Sequence, residues 1–171
     1  TGLDLEAHDG NTKMATFVRL GAVSLYYANA IKLATVTGGV HLGAGSVNAT
    51  LSTESAGTSN LTLGVGAGDS IASGGNFNVC VGDQAGTAIT TGDDNTLVGF
   101  QTGDAITEGS GNTVLGMNCL SSETKGGRNV AIGHAALISQ NFTSVTNANN
   151  VAIGYSTGAV LNGGTENTLI G

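Results

Sequence analysis

The chain has 171 residues, a net charge of −7, 29 glycines, no proline and no tryptophan, and only 10% of its residues are charged. Five basic residues in no cluster give little to neutralise phosphates, which argues against a nucleic-acid partner. No run approaches the roughly 18 apolar residues of a membrane helix, so no membrane insertion is expected. Glycine-rich sequence without a period is commonly disordered, but here 40% of residues are hydrophobic and the glycines recur in register. An ordered, solvated extracellular object is the expectation.

Residues 1–43 read as an N-terminal β-strand module. From about residue 15, V-S-L-Y-Y, I-K-L-A-T-V and V-H-L are short alternating strands separated by turn residues. Val23, Leu25 and Tyr27 share one face, Ile31 and Leu33 share one face of the next strand, and Asn29 and Gly38–Gly39 supply the turns. Residues 44–59 are small and polar and suit a connector or a degenerate rung.

Residues 60–171 repeat. An asparagine, three mostly apolar or β-branched residues and a glycine recur with glycines at 64, 82, 99, 116, 133, 154 and 171, spaced 18, 17, 17, 17, 21 and 17 residues apart. A short fixed period in β-rich sequence predicts a solenoid of stacked rungs. Within the strand the outer residues (Leu63, Val81, Val98, Leu115, Ile132, Ile153 and Ile170 just before the glycine) point one way. The middle ones, with Leu97, Val114, Ala131 and Ala152 among them, point the other. Both faces are mainly apolar. One dry face closes the rung, so the second implies a partner running the length of the rod, which a parallel copy of the chain provides. The asparagines Asn60, Asn78, Asn95, Asn112, Asn129, Asn150 and Asn167 stack in one column and are expected to bond one another and turn backbone.

After the glycine comes a corner of small residues, then a position that is apolar in four of six rungs (Ile71, Ile89, Ile106, Glu123, Gln140, Leu161), taken as a short second strand. A column of glycines broken by one asparagine (Gly75, Gly92, Gly109, Gly126, Asn147, Gly164) predicts a left-handed backbone turn before each motif asparagine. At about 17 residues per rung, a flattened two-sided roll fits better than a wide triangular helix.

The array strings N-V-A-I-G-H-A-A-L and N-V-A-I-G-Y-S-T-G resemble the head repeats of YadA-like trimeric autotransporter adhesins. The segment L-Y-Y-A-N-A-I-K-L-A-T-V-T-G-G-V resembles a module of marine phage tail fibres that precedes such repeats. The resemblance implies an all-β fold: a left-handed parallel β-roll, three chains to a head, with the motif on the inner strand. The longer, variable period, and Leu120 and Leu137 where other rungs have glycine, depart from the adhesin pattern. No ligand site carries over.

Chemistry is sparse. Asp69 and Asp104 share a column but lie two rungs, ~10 Å, apart, and Asp93–Asp94 suit a turn. Cys80 and His134 are three rungs apart, ~14 Å, too far for a nucleophile pair. Cys80 and Cys119 occupy different columns and read as free, apolar fillers. No His or Cys pair has metal-ligand spacing, although three copies of His134 would converge on an ion if that column faced a threefold axis. No catalytic residue, cofactor or metal is therefore assigned. The 21-residue interval places four extra residues in S-Q-N-F-T-S-V-T-N-A-N-N, where Asn141, Phe142 and Thr143 form a candidate recognition loop. The competing reading folds Phe142 back over the rung's core. Thr1 in place of Met, and a motif glycine at the end, suggest a piece of a longer polypeptide.

The function expected is a homotrimeric structural and adhesive segment of a virion appendage, a phage tail fibre that presents host-receptor binding, with cell-surface glycan or protein as the further partner. The alternatives are the head of a bacterial trimeric adhesin at the outer-membrane surface and a glycan-degrading tailspike enzyme.

Overall fold

The computed structural model describes the strands between residues 3 and 42 and all of residues 56–171. The chain divides into two units, Thr1–Leu51 and Ser52–Gly171.

The first unit is a meander of β1 (Leu3–Glu6), β2 (Lys13–Phe17), β3 (Val23–Tyr27), β4 (Ala30–Val36) and β5 (Gly39–Leu42), each antiparallel to the next. Its last hairpin pairs Val36 with Gly39, and the register slips by a bulge between Leu25 and Tyr26. The faces expected of Val23, Leu25, Tyr27, Ile31 and Leu33, the turns at Asn29 and Gly38, and the connector over 44–55 lie outside the described residues.

The second unit is a parallel β-solenoid of about six turns. Its motif strands are β6 (Leu61–Leu63), β7 (Val79–Val81), β8 (Thr96–Val98), β9 (Thr113–Leu115), β11 (Val130–Ile132), β13 (Val151–Ile153) and β14 (Thr168–Ile170). Each pairs in parallel with the next in strict register, so Leu97 lies between Cys80 and Val114, and Ala131 between Val114 and Ala152. The middle residue of each strand points inward. Cys80, Leu97, Val114, Ala131 and Ala152 are fully buried and form the core with Ile89, Ile106, Leu120 and Leu137.

The motif glycine is required twice over. Its φ lies between 124° and 141° in six rungs, a region open essentially to glycine. A Cβ there would also strike the carbonyl of the motif glycine in the next rung. The corner that follows is held rung to rung, as in Gly86 N to Thr102 O (3.0 Å) and Gly103 N to Cys119 O (2.9 Å).

Two local expectations are corrected. The position of Ile71, Ile89 and Ile106 is a turn and not a strand: Ile89 N donates to Gly86 O at 3.1 Å and Ile106 N to Gly103 O at 3.1 Å. A second pairing occurs only between β10 (Gly126–Gly127) and β12 (Thr146–Asn147), beside the lengthened rung, among the described residues. The left-handed residue is also not in the column of Gly75, Gly92 and Gly109. It is the residue immediately before each motif asparagine: Ser59, Phe77, Asp94, Gly111, Arg128, Asn149 and Glu166 all have φ between 53° and 72°. The column glycines are needed because a Cβ at Gly92 or Gly109 would collide with the next rung's carbonyl.

Candidate functional site

The asparagine column is a continuous ladder. Asn95 donates its backbone N–H (3.0 Å) and its Nδ2 (2.9 Å) to Asn78 Oδ1, and its second Nδ2 hydrogen to Gly109 O (2.9 Å). Asn112 repeats this against Asn95 and Gly126, and Asn129 N and Nδ2 repeat it against Asn112 Oδ1. A buried amide that uses both hydrogens and both lone pairs carries no desolvation penalty for an unmade bond. These asparagines tie the rungs together, and burial leaves them no surface with which to meet a ligand: Asn78, Asn95, Asn112, Asn129 and Asn150 are all fully buried. Leu97, Val114, Ala131 and Ala152 likewise belong to the roll's own core.

The ladder changes at the lengthened rung. Asn150 N still reaches Asn129 Oδ1 (3.2 Å), but its Nδ2 turns to Gln140 Oε1 (2.7 Å) and Gly164 O (2.6 Å). Gln140 Nε2 passes the chain on to Glu123 Oε2 at 2.9 Å. Glu123 is fully buried, and its Oε1 accepts from the backbone N–H groups of Thr124 (2.9 Å), Lys125 (3.1 Å), Gly126 (2.6 Å) and Phe142 (3.0 Å). In the preceding rungs the corresponding three N–H groups converge on a carbonyl of the next rung: Thr90, Thr91 and Gly92 on Thr107 O, and Thr107, Glu108 and Gly109 on Thr124 O. The insertion takes that carbonyl away from Thr124, Lys125 and Gly126, and the Glu123 carboxylate stands in for it. In the sequence Glu123 and Gln140 stand only as exceptions to an apolar column. The signal was present, because both rungs that lose the aliphatic residue also carry Leu120 or Leu137 in place of glycine.

The residues weighed for chemistry are dispersed. Cys80 and Cys119 are buried free thiols whose pKa values burial pushes up to about 12, so neither is a thiolate near neutral pH. Cys119 Sγ lies 3.3 Å from the carbonyls of Ala131 and Ala136. Asp93 is a turn residue: its Oδ1 accepts from Asn76 N at 2.7 Å, and its own N–H goes to Ser110 Oγ. Asp104 is half-buried, and desolvation raises its pKa against the opposing hydrogen bonds of its own and Ala105's N–H. His134 stacks on Tyr155 with ring centroids 5.2 Å apart at 11°. No group of three His, Cys, Asp or Glu is gathered among the described residues. In the lengthened rung Asn141 and Thr143 are exposed, and Thr124 Oγ1 donates to Asn141 Oδ1 (2.9 Å). Phe142 is half-buried with its ring edge against Gly126.

What the fold leaves unpartnered is the outer face of the motif strands. Leu63 (57% exposed), Leu115 (50%) and Ile170 (76%) stand in one column with Ile153, and Val65, Phe100, Met117 and Tyr155 extend it past the glycine. A sheet with one face in a core ordinarily carries polar residues on the other. Here the outward residue just before each motif glycine is aliphatic in every rung, and Thr96, Thr113 and Thr168 are the polar residues on the same face.

Fold and face together define a parallel β-solenoid with a continuous apolar edge. No protein-family model, no curated protein and no solved structure matches the chain.

Proposed function

We propose that the chain is a structural and adhesive segment of a homotrimeric fibre, the appendage of a virion of phage tail-fibre type, in which three parallel left-handed rolls pack along their outer strand faces. The apolar column that recurs in every rung is the observation that carries this reading. Its partner has to repeat at the rise of the rungs, ~4.8 Å, over an array about 30 Å long, and a second and third copy of the same chain meet both conditions. Full burial of a Leu or Ile side chain contributes about 1.5–3 kcal/mol, so covering the exposed parts of Leu63, Leu115, Ile153 and Ile170 amounts to several kcal/mol per chain. The handedness and the number three come from the resemblance to YadA-like head repeats. Such a rod holds a receptor-binding part away from the particle, and three tips raise avidity at a host surface. The same surface would serve the head of a bacterial trimeric adhesin, and a C-terminal membrane β-barrel in the full-length chain would move the assignment there.

Sedimentation equilibrium tests the reading. The expected mass is three times the 16.8 kDa chain. Leu115→Asp and Ile153→Asp, on the outer face, are expected to give monomers that keep their β circular dichroism. A stable, soluble native monomer overturns the proposal.

A further inference from the structure

Only two of the chain's five basic residues, Lys125 and Arg128, fall within the solenoid, and both border one cavity of about 190 Å³. Its other polar lining side chains include Asp94, Ser110, Thr146 and Asn147. Asp94, Gly111 and Arg128 are the left-handed residues that precede Asn95, Asn112 and Asn129, so they stack in one column on three successive rungs. Gly111, having no side chain, opens a notch between the carboxylate and the guanidinium. The stem of Arg128 lies beside the notch, since a Cβ on Gly111 would stand 3.5 Å from Arg128 Cγ. The lengthened rung supplies another part of the lining through Val145, 68% exposed, with Thr146 and Asn147.

The charges are not spent on one another. Lys125 Nζ is paired with Glu108 at 2.7 Å. The guanidinium of Arg128, the carboxylate of Asp94 and the side-chain amide of Asn147 are exposed and make no hydrogen bond or ion pair among the described residues. In a chain of net charge −7, an unpaired guanidinium inside a concavity is the local exception that lets an anion approach.

We propose that this cavity binds a single acidic sugar residue, a hexuronate or nonulosonate unit of a surface glycan. Arg128 takes the carboxylate in a bidentate pair, Asp94 accepts from ring hydroxyls, Asn147 donates to a remaining oxygen, and Thr146, whose hydroxyl donates to Ser144 O at 2.9 Å, accepts from a further hydroxyl while Val145 meets a C–H face. A bare anion would confront Asp94 with like charge and leave it unpaired; a ligand with hydroxyls beside its anionic group satisfies both ends of the notch. The volume is below the roughly 300–1,000 Å³ that encloses a drug-sized ligand, so one ring enters and the rest of the glycan stays in solvent. The proposal deepens the attachment reading but rests on the cavity and not on trimer formation.

Calorimetry and saturation-transfer NMR on the full chain test it, with methyl galacturonide, the methyl glycoside of N-acetylneuraminate, methyl galactoside and sodium acetate as probes. One or both acidic glycosides are expected to bind in the millimolar range, roughly tenfold or more tighter than galactoside or acetate. Arg128→Gln should lower that affinity about tenfold without changing the melting temperature, and Asn147→Ala should weaken it by a smaller factor with the guanidinium in place. Absence of binding by both acidic glycosides, equal binding of acetate or galactoside, or undiminished affinity in both variants overturns the proposal. Sedimentation of the same sample reports the trimer separately, so either reading can fail alone.

Discussion

Two neighbouring rungs solve the same packing problem in opposite ways. In the rung that begins at Gly99, Gly103 is bare and Ile106 fills the core; a Cβ on Gly103 would strike Ile106 Cδ1. In the rung that begins at Gly116, Leu120 fills the core from the glycine position, and Glu123 takes the place of the isoleucine. The backbone does not change, with φ of 55° at Gly103 and 54° at Leu120. The solenoid therefore fixes the path and the core volume and leaves open which of two positions supplies the apolar side chain. Holding leucine in the left-handed region costs about 1–2 kcal/mol. The exchange frees the next position for a carboxylate that serves three backbone N–H groups whose usual acceptor the insertion has removed.

The largest test of that contrast is Glu123→Ala. It leaves four buried or half-buried N–H groups and the Gln140 amide without an acceptor, and a destabilisation of about 4 kcal/mol or more is expected in urea unfolding, since each unmet group costs about 1–3. Ile106→Ala in the aliphatic rung should cost about 3 kcal/mol through lost burial and a cavity. A loss at Glu123 no larger than that of a surface substitution would end the account of the carboxylate as a substitute carbonyl.

A double-mutant cycle sharpens the comparison further. Gly103→Leu alone should cost about 2–3 kcal/mol by overpacking against Ile106, and Ile106→Gln alone a similar amount by burying an amide. Together they recreate the Leu137–Gln140 pairing two turns earlier, so their sum should fall short of additivity by about 1 kcal/mol or more. Strict additivity would mean that the pairing in the natural rungs is coincidental.

Gln140→Leu probes the link between the two polar side chains. It removes the bonds to Glu123 Oε2 and Asn150 Nδ2 while keeping apolar volume, and about 1–2 kcal/mol of lost stability is expected. Thermal melts on the same variant should show unchanged cooperativity.

The smallest effect belongs to Asp104. Its folded pKa is raised by desolvation, so the folded state holds its proton more tightly than the unfolded chain does. The stability this contributes is fully present below the unfolded pKa and is lost as pH rises through the folded one. Asp104→Asn should therefore be slightly more stable than the native chain at pH 7 and indistinguishable from it in the acid range. A variant less stable at pH 7 would contradict the sign.

The period, the motif strands, the stacked asparagines and the alternation of side chains are all legible along the chain, because a repeating backbone writes each of these into every copy. Tertiary structure decided the rest. Alternation shows that Val114 and Leu115 face opposite ways, but only closure of the coil decides that Val114 is inside. The left-handed residues before each asparagine were hidden because Phe77, Asp94 and Arg128 carry no glycine signature, although each holds a φ near 60°. The glycines nearby were conspicuous for another reason, the approach of one rung's carbonyl to the next, which no single rung contains. The part played by Glu123 and the notch between Asp94 and Arg128 depend on what an insertion or a missing side chain in an adjacent rung leaves unsatisfied. The ladder contacts across rungs join residues 14 to 21 positions apart, and a linear reading cannot weigh them until the stacking is known.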